Sequence, residues 1–163
     1  MELVKLISAS CKQALDQAID HELYASNFYK NAANHMQRIG YFGAQKFFVA
    51  ESASELEHYQ KIVDFLNDVG MVAKVPSVEA MTEQFSSLLE VVQAAYNIEV
   101  ALYHSYSRWY KSESDDPVVQ QFLLQFLEIQ RTSVGEYGDL LSRLKLAGDD
   151  KCALLIIDQE MGG

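Results

Sequence analysis

The sequence predicts an all-α fold: four long helices in a bundle, a long connection between the second and third, and a short segment beyond the fourth. Three observations carry that prediction. The chain has 163 residues and only two prolines, Pro76 and Pro117, neither inside a periodic stretch, so long helices are allowed. Apolar residues return with helical period, as along Leu15, Ile19, Leu23, Ala25, Phe28 and Ala32. One weakly periodic run of twelve residues, "MVAKVPSVEAMT", divides the periodic stretches two and two.

The first helix is expected over about residues 5 to 37, closed by the glycine-bounded turn "RIGYFG". The second follows over about 43 to 69 and would be roughly 40 Å long at 1.5 Å per residue. Twelve extended residues reach about the same distance, so the connection can cross the length of a bundle and leave the second and third helices parallel. The third helix is expected over about 83 to 111, and the polar link "SESDDP" leads to the fourth over about 117 to 147. Gly135 and Gly138 inside that helix are candidates for a bend. The last segment, "KCALLIIDQE", is too short for periodicity to separate strand from helix, and its apolar residues call for a cover such as another subunit.

A chain of this length falls within the size of one domain and can bury a sizeable core. Its formal net charge of −10 leaves too few Lys and Arg to follow a phosphate backbone, which argues against a nucleic-acid groove. Cys11 and Cys152 stand far apart and outside any CxxC spacing, which suggests neither a disulfide framework nor a thiolate zinc site and fits a reducing cytoplasm. The opening "MELVKLISASCK" does not read as a secretory signal, and no long uncharged apolar run suggests a membrane span.

The chemistry concentrates in "ESASELEHYQ", residues 51–60. At about 100° per residue, Glu51, Glu55, His58 and Ile62 share one stripe and Glu57 points almost the opposite way. Glu55 and His58 form E-x-x-H, which brings a carboxylate and an imidazole to one cation. Each of the other long helices carries a polar group at a core position: Glu22 on the first, Glu99 on the third, Gln130 on the fourth. Buried carboxylates repel one another and lose hydration unless a cation sits among them, so three Glu and a His imply a metal. Carboxylate oxygens with one imidazole suit iron or manganese better than structural zinc. Di-iron bundles are known with Glu from two helices and E-x-x-H from the other two, whereas here there is one E-x-x-H.

On these residues the chain resembles the ferritins over nearly its whole length. "IDHELYASNFYKNAANHM", "FFVAESASELEHYQKIVDFLNDVG", "YNIEVALYHSY" and "FLLQFLEIQRTSVGEYGDLLSRLKLAG" are similar to the four bundle helices, and "KCALLIIDQE" to the fifth helix of bacterial ferritins. The resemblance implies a ferritin-like four-helix bundle with the fifth helix at about 150–160, in a cage of twenty-four subunits. It implies iron storage and detoxification by a ferroxidase in the cytoplasm, with dioxygen or peroxide as oxidant. Glu22 and His58 would hold one iron, Glu55 would bridge, and Glu99 with Gln130 would hold the second, with Tyr29 beside this di-iron centre.

The departures carry implications of their own. At the positions where many bacterial ferritins add glutamates for a third iron site, this chain has Ser54, Ile129, Thr132 and Ser133. Of the acidic nucleation cluster of animal ferritins it keeps Glu57, with Ser54 and Gln60 at the other positions. "DDPVVQQFLLQ" lacks the acidic pair that lines their three-fold channel. Leu56 stands where bacterioferritins place a haem-ligating Met, so no haem is expected. Two other readings remain: a non-storing di-iron oxidase of the rubrerythrin kind, and a structural ferritin subunit without oxidase activity.

Overall fold

Helix termini fall where side chains satisfy the backbone amides that a helix leaves free. The computed structural model describes residues 1–163 and contains five helices and no strand, the all-α architecture expected from the sequence. Helix α1 spans Ala9–Arg38 and starts later than residue 5 because Ser8 Oγ accepts Cys11 N–H at 3.1 Å. The residues before it run along the end of the second helix instead, with Leu6 N–H donating to Val69 O at 3.0 Å. Helix α2 spans Phe42–Asp68.

Helix α3 spans Leu88–Ser112, shorter at its start than the pattern from 83 predicts. Ser87 Oγ accepts Glu90 N–H at 3.1 Å, and the Glu90 carboxylate reaches back to Ser86 N–H at 2.8 Å. Phe85 is buried before the helix begins, edge-on to Phe28 and His35, so the apolar period upstream of 88 belongs to extended chain. Helix α4 spans Pro117–Ala147, with Asp116 accepting Val118 and Val119 N–H at 3.1 Å and Pro117 in the first turn. It runs unbroken through Gly135 and Gly138. The C-terminal segment is helix α5, Lys151–Gly162, capped by Asp150.

The crossover from α2 to α3 lies along α1. Lys74 binds Asp20 at 2.5 Å near one end, and Asn31 Nδ2 donates to Glu83 O at 2.9 Å toward the other. The crossover therefore advances with α1, against the direction of α2, and returns the chain to the end of the bundle where α2 started. That leaves α2 and α3 parallel, with α1 packed along α2 and α3 along α4. Helix α5 packs on the ends of α2 and α4. Tyr41 offers α2 no side-chain cap; Asp158 of α5 does so instead, accepting Gly43 N–H at 3.1 Å and Ala44 N–H at 2.7 Å. A side chain at Gly43 would collide with the Asp158 carbonyl, so only glycine allows this approach.

The core runs the length of the bundle and is rich in aromatic rings, among them Phe28, Tyr29, Phe48, Tyr106 and Phe126, all nearly inaccessible. No helix is long and apolar enough to cross a membrane. The polar exceptions in this core are few, and most lie at one level between the four long helices.

Candidate metal centre

Two serines bring α1 and α2 together at that level. Ser26 Oγ donates to Ser52 O, and Ser52 Oγ to Ser26 O, both at 2.9 Å and both buried. Small side chains let the backbones approach, and the reciprocal bonds fix the register. One helical turn away on each helix stand Glu22 and the Glu55–His58 pair. His58 Nδ1 lies 3.1 Å from Glu55 Oε2 and 3.5 Å from Glu22 Oε2. One ligand atom from each of these three residues falls within 4.8 Å of the others, the spacing that one cation can span.

The α3–α4 side supplies Glu99 and Gln130, both fully buried. Gln130 Nε2 donates to Glu99 Oε2 at 2.7 Å and sits 3.3 Å from its carbonyl, which locks the amide and turns its oxygen away. Two tyrosines complete the ring. Tyr29 OH donates to Glu99 Oε1, and Tyr106 OH donates to Glu22 Oε1. Each tyrosine stands seven residues after the glutamate on its own helix, Glu22 to Tyr29 and Glu99 to Tyr106, and binds the glutamate of the other. Antiparallel α1 and α3 therefore present the same pair twice.

The electrostatics show a site short of positive charge. Burial raises the Glu55 carboxyl well above the usual range, and the hydrogen bond and charge of Glu22 add to the rise. Burial pushes Glu22 up as well, but the nearby Glu55 and His58 and the bond from Tyr106 outweigh it and leave Glu22 lowered. Of the two, Glu55 is thus the carboxyl that holds a proton more readily. Burial also raises Glu99, against the lowering effect of Tyr29 and Gln130. Tyr29 and Tyr106 rise well above 10, first from burial.

Buried polar atoms are normally paired, and three here are not: Glu22 Oε2, Gln130 Oε1 and Tyr137 OH. The first two belong to opposite sides of the same cluster and are of ligand type. A cation held by Glu22, Glu55 and His58 would pair the free Glu22 oxygen and reduce the repulsion among the three carboxylates. The donor set fits a hard or borderline ion such as iron.

All six residues expected from the sequence, Glu22, Tyr29, Glu55, His58, Glu99 and Gln130, are thus brought to one level of the bundle. Glu57 is exposed on the opposite side of its helix. A groove of about 370 Å³ between α2 and α4 opens onto Glu55 and His58. Ser54, Ile129, Thr132 and Ser133 all line it without offering a carboxylate, while Glu51, Glu128 and Glu136 supply its further acid. Burial, with the charges of Glu99 and Glu136, lifts Glu51 to about 7. A larger pocket, about 610 Å³, lies away from the centre between α1 and the crossover around Asp20, His21 and Lys74, and carries no buried ligand set. The residue missing from the sequence reading is Tyr106. Its signal was the repeated seven-residue interval from glutamate to tyrosine.

Comparisons with known proteins bear on the fold and the family. Residues 12–147 match the family described as a ferritin-like domain. A probable bacterial non-heme ferritin-like protein of Haemophilus influenzae is 26% identical over 159 residues, covering 96% of each chain. A bacterial non-heme ferritin of Staphylococcus aureus is 28% identical over 160 residues, again with 96% of each covered. Among solved structures, an open-pore ferritin of the archaeon Archaeoglobus fulgidus superposes with a TM-score of 0.92 at 26% identity, covering 96% of this chain and 97% of that one.

Proposed function

The chain belongs to the ferritin-like family, and from that premise we propose that it is an iron-storage ferroxidase. It binds two ferrous ions at the carboxylate cluster, oxidises them with dioxygen or peroxide, and passes ferric product into the hollow of an oligomeric cage. Glu22 and His58 hold the first ion, Glu55 bridges, and Glu99 with Gln130 holds the second. The observation that carries this reading is the set of four buried ligand-type groups from four helices with His58, two of their atoms left unpaired.

The roles follow from the donors. Carboxylate oxygens stabilise the ferric over the ferrous charge, which favours oxidation. Gln130 is neutral, so the second ion is held more weakly than the first and exchanges more readily. A carboxylate ligand must be deprotonated, and Glu55 resists this because its carboxyl is held above the usual range, so loading strengthens as pH rises. The groove between α2 and α4, acidic through Glu51 and Glu136, is the path by which ions reach or leave His58 and Glu55. The cage has twenty-four copies of this chain and works in the cytoplasm without haem.

Anaerobic titration with ferrous iron followed by exposure to oxygen tests the reading, with Glu55→Ala as control. Two ions bound per chain at the centre and oxidation lost in the variant are expected. Fewer than two ions, or oxidation indifferent to Glu55→Ala, would overturn it. Size-exclusion mass and the iron content of the purified protein test storage separately: a monomer without iron contradicts the cage.

A further inference from the structure

The two bonds between α1 and α3, Tyr29 to Glu99 and Tyr106 to Glu22, set the register of these antiparallel helices across the centre. Midway between the bonds, Leu102 of α3 comes opposite Ala25 and Ser26 of α1, and all three are buried. The two residues on α1 are small, so Leu102 supplies the bulk of the wall at this level. Outside that wall lies a recess of about 190 Å³, lined by His21 and Tyr24 of α1 and by Ile98, Ala101, Leu102 and Ser105 of α3. His21, Ile98 and Ser105 immediately precede Glu22, Glu99 and Tyr106, which puts the recess at the level of the centre.

The bundle therefore has two approaches of opposite chemistry. The groove between α2 and α4 carries Glu51, Glu55, Glu128 and Glu136 and suits a hydrated cation. No carboxylate lines the α1–α3 recess, so a ferrous ion passing Leu102 would shed its water with nothing to replace it. Dioxygen is small and uncharged, and it enters apolar packing without that penalty. Leucine has other staggered rotamers, and the recess gives the Leu102 side chain a place to turn.

We propose that dioxygen reaches the centre through the α1–α3 recess, with Leu102 as its gate, while ferrous ions arrive by the acidic groove on the opposite side of the bundle. The inference rests on the ferroxidase reading and names the route of its oxidant. Hydrogen peroxide, which is polar and forms hydrogen bonds, is left to the groove. Ions and gas then meet at the centre from opposite sides, and neither has to pass the other.

Stopped-flow oxidation of full-length protein, loaded anaerobically with two ferrous ions per chain, tests the route with graded dioxygen and separately with hydrogen peroxide. Ala101 is exposed on the rim, so Ala101→Trp sets a large ring over the recess and leaves the core untouched. Its rate constant with dioxygen should fall on the order of 10-fold, while its anaerobic iron stoichiometry and its rate with hydrogen peroxide stay those of the wild type. Leu102→Ala should speed the reaction with dioxygen and leave that with peroxide unchanged. Crystals under xenon pressure give a reading that needs no iron: the apolar atom should lodge against Leu102 in the wild type and be displaced in Ala101→Trp.

Equal dioxygen rates in the wild type and Ala101→Trp, or an equal loss with both oxidants, would overturn the route, and this comparison decides even where Leu102→Ala fails to fold. A wild type that oxidises its bound iron with neither oxidant would overturn the ferroxidase reading and this inference with it. That result is distinct from a wild type and an Ala101→Trp variant that oxidise iron equally fast, which leaves the ferroxidase reading standing and removes the recess alone.

Discussion

The two sides of the centre are built to different degrees. On the α1–α2 side, Glu22, Glu55 and His58 bring ligand atoms within 4.8 Å, and a reciprocal serine pair fixes the helices one turn away. On the α3–α4 side there is one carboxylate, Glu99, and one neutral amide, Gln130, bound to each other. The tyrosine contacts are symmetrical; the ligand sets are not. Equal scaffolding with unequal charge means that, on the proposed reading, two ions would share a cavity without sharing an affinity, a useful property where one ion is to be passed on.

The largest effect expected from that asymmetry is on Glu22→Ala set against Glu99→Ala. Loss of Glu22 removes the first ion and lowers the oxidation rate on the order of 100-fold. Loss of Glu99 leaves one tight ion per chain, seen as a halved stoichiometry in anaerobic titration. Equal losses at both positions would abolish the distinction between the sides.

Gln130→Glu should narrow the difference. A charged ligand in place of the amide tightens the second ion by about 10-fold, measured by competition with a chelator, and slows product release. It also adds a fourth buried carboxylate, so the metal-free variant melts below the wild type. An unchanged second affinity would show that Gln130 does not ligate.

The serine pair allows a structural version of the same comparison. Ser52→Ala removes one of its two backbone-directed bonds and should cost about 1 kcal/mol of stability, read from denaturant midpoints. First-ion affinity should fall with it while the second is spared. A fall in both would mean that the pair positions the whole bundle and not one side.

A pH-dependent effect concerns Glu51, which stands on α2 but feels the charges of Glu99 and Glu136. Its folded-state pKa of about 7 lies above the ordinary 4.5, so its contribution to stability is fully present below pH 4.5 and is lost as pH rises through 7. Glu51→Gln keeps an uncharged side chain at every pH. The metal-free variant should melt at least about 5 °C above the wild type beyond pH 7 and with it near pH 4.5. Glu55 and Glu99 are raised in the same direction, so part of the wild-type slope remains in the variant.

Much of this was legible in the chain because it is local. The helical period, the two prolines and the long crossover between α2 and α3 follow from residue type and spacing. So does the facing of Glu55 with His58 and of Glu57 away from them, since three residues along a helix return nearly to the same side. Helix starts were less legible: Ser8 and Ser87 stop α1 and α3 short of their apolar periods, because a cap bond and a buried Phe85 compete with helix for the same residues.

What the sequence by itself determined is which groups are available: four polar side chains on the buried stripes of four helices, with too little positive charge to balance them. What only the tertiary structure decided is who meets whom. Tyr29 reaches Glu99 across 70 residues of chain, and Tyr106 reaches Glu22 across 84. Asp158 caps a helix that begins more than a hundred residues before it. Spacing along one helix is fixed by 3.6 residues per turn. Register between helices is fixed by how serines, rings and the crossover pack, and no local rule contains it.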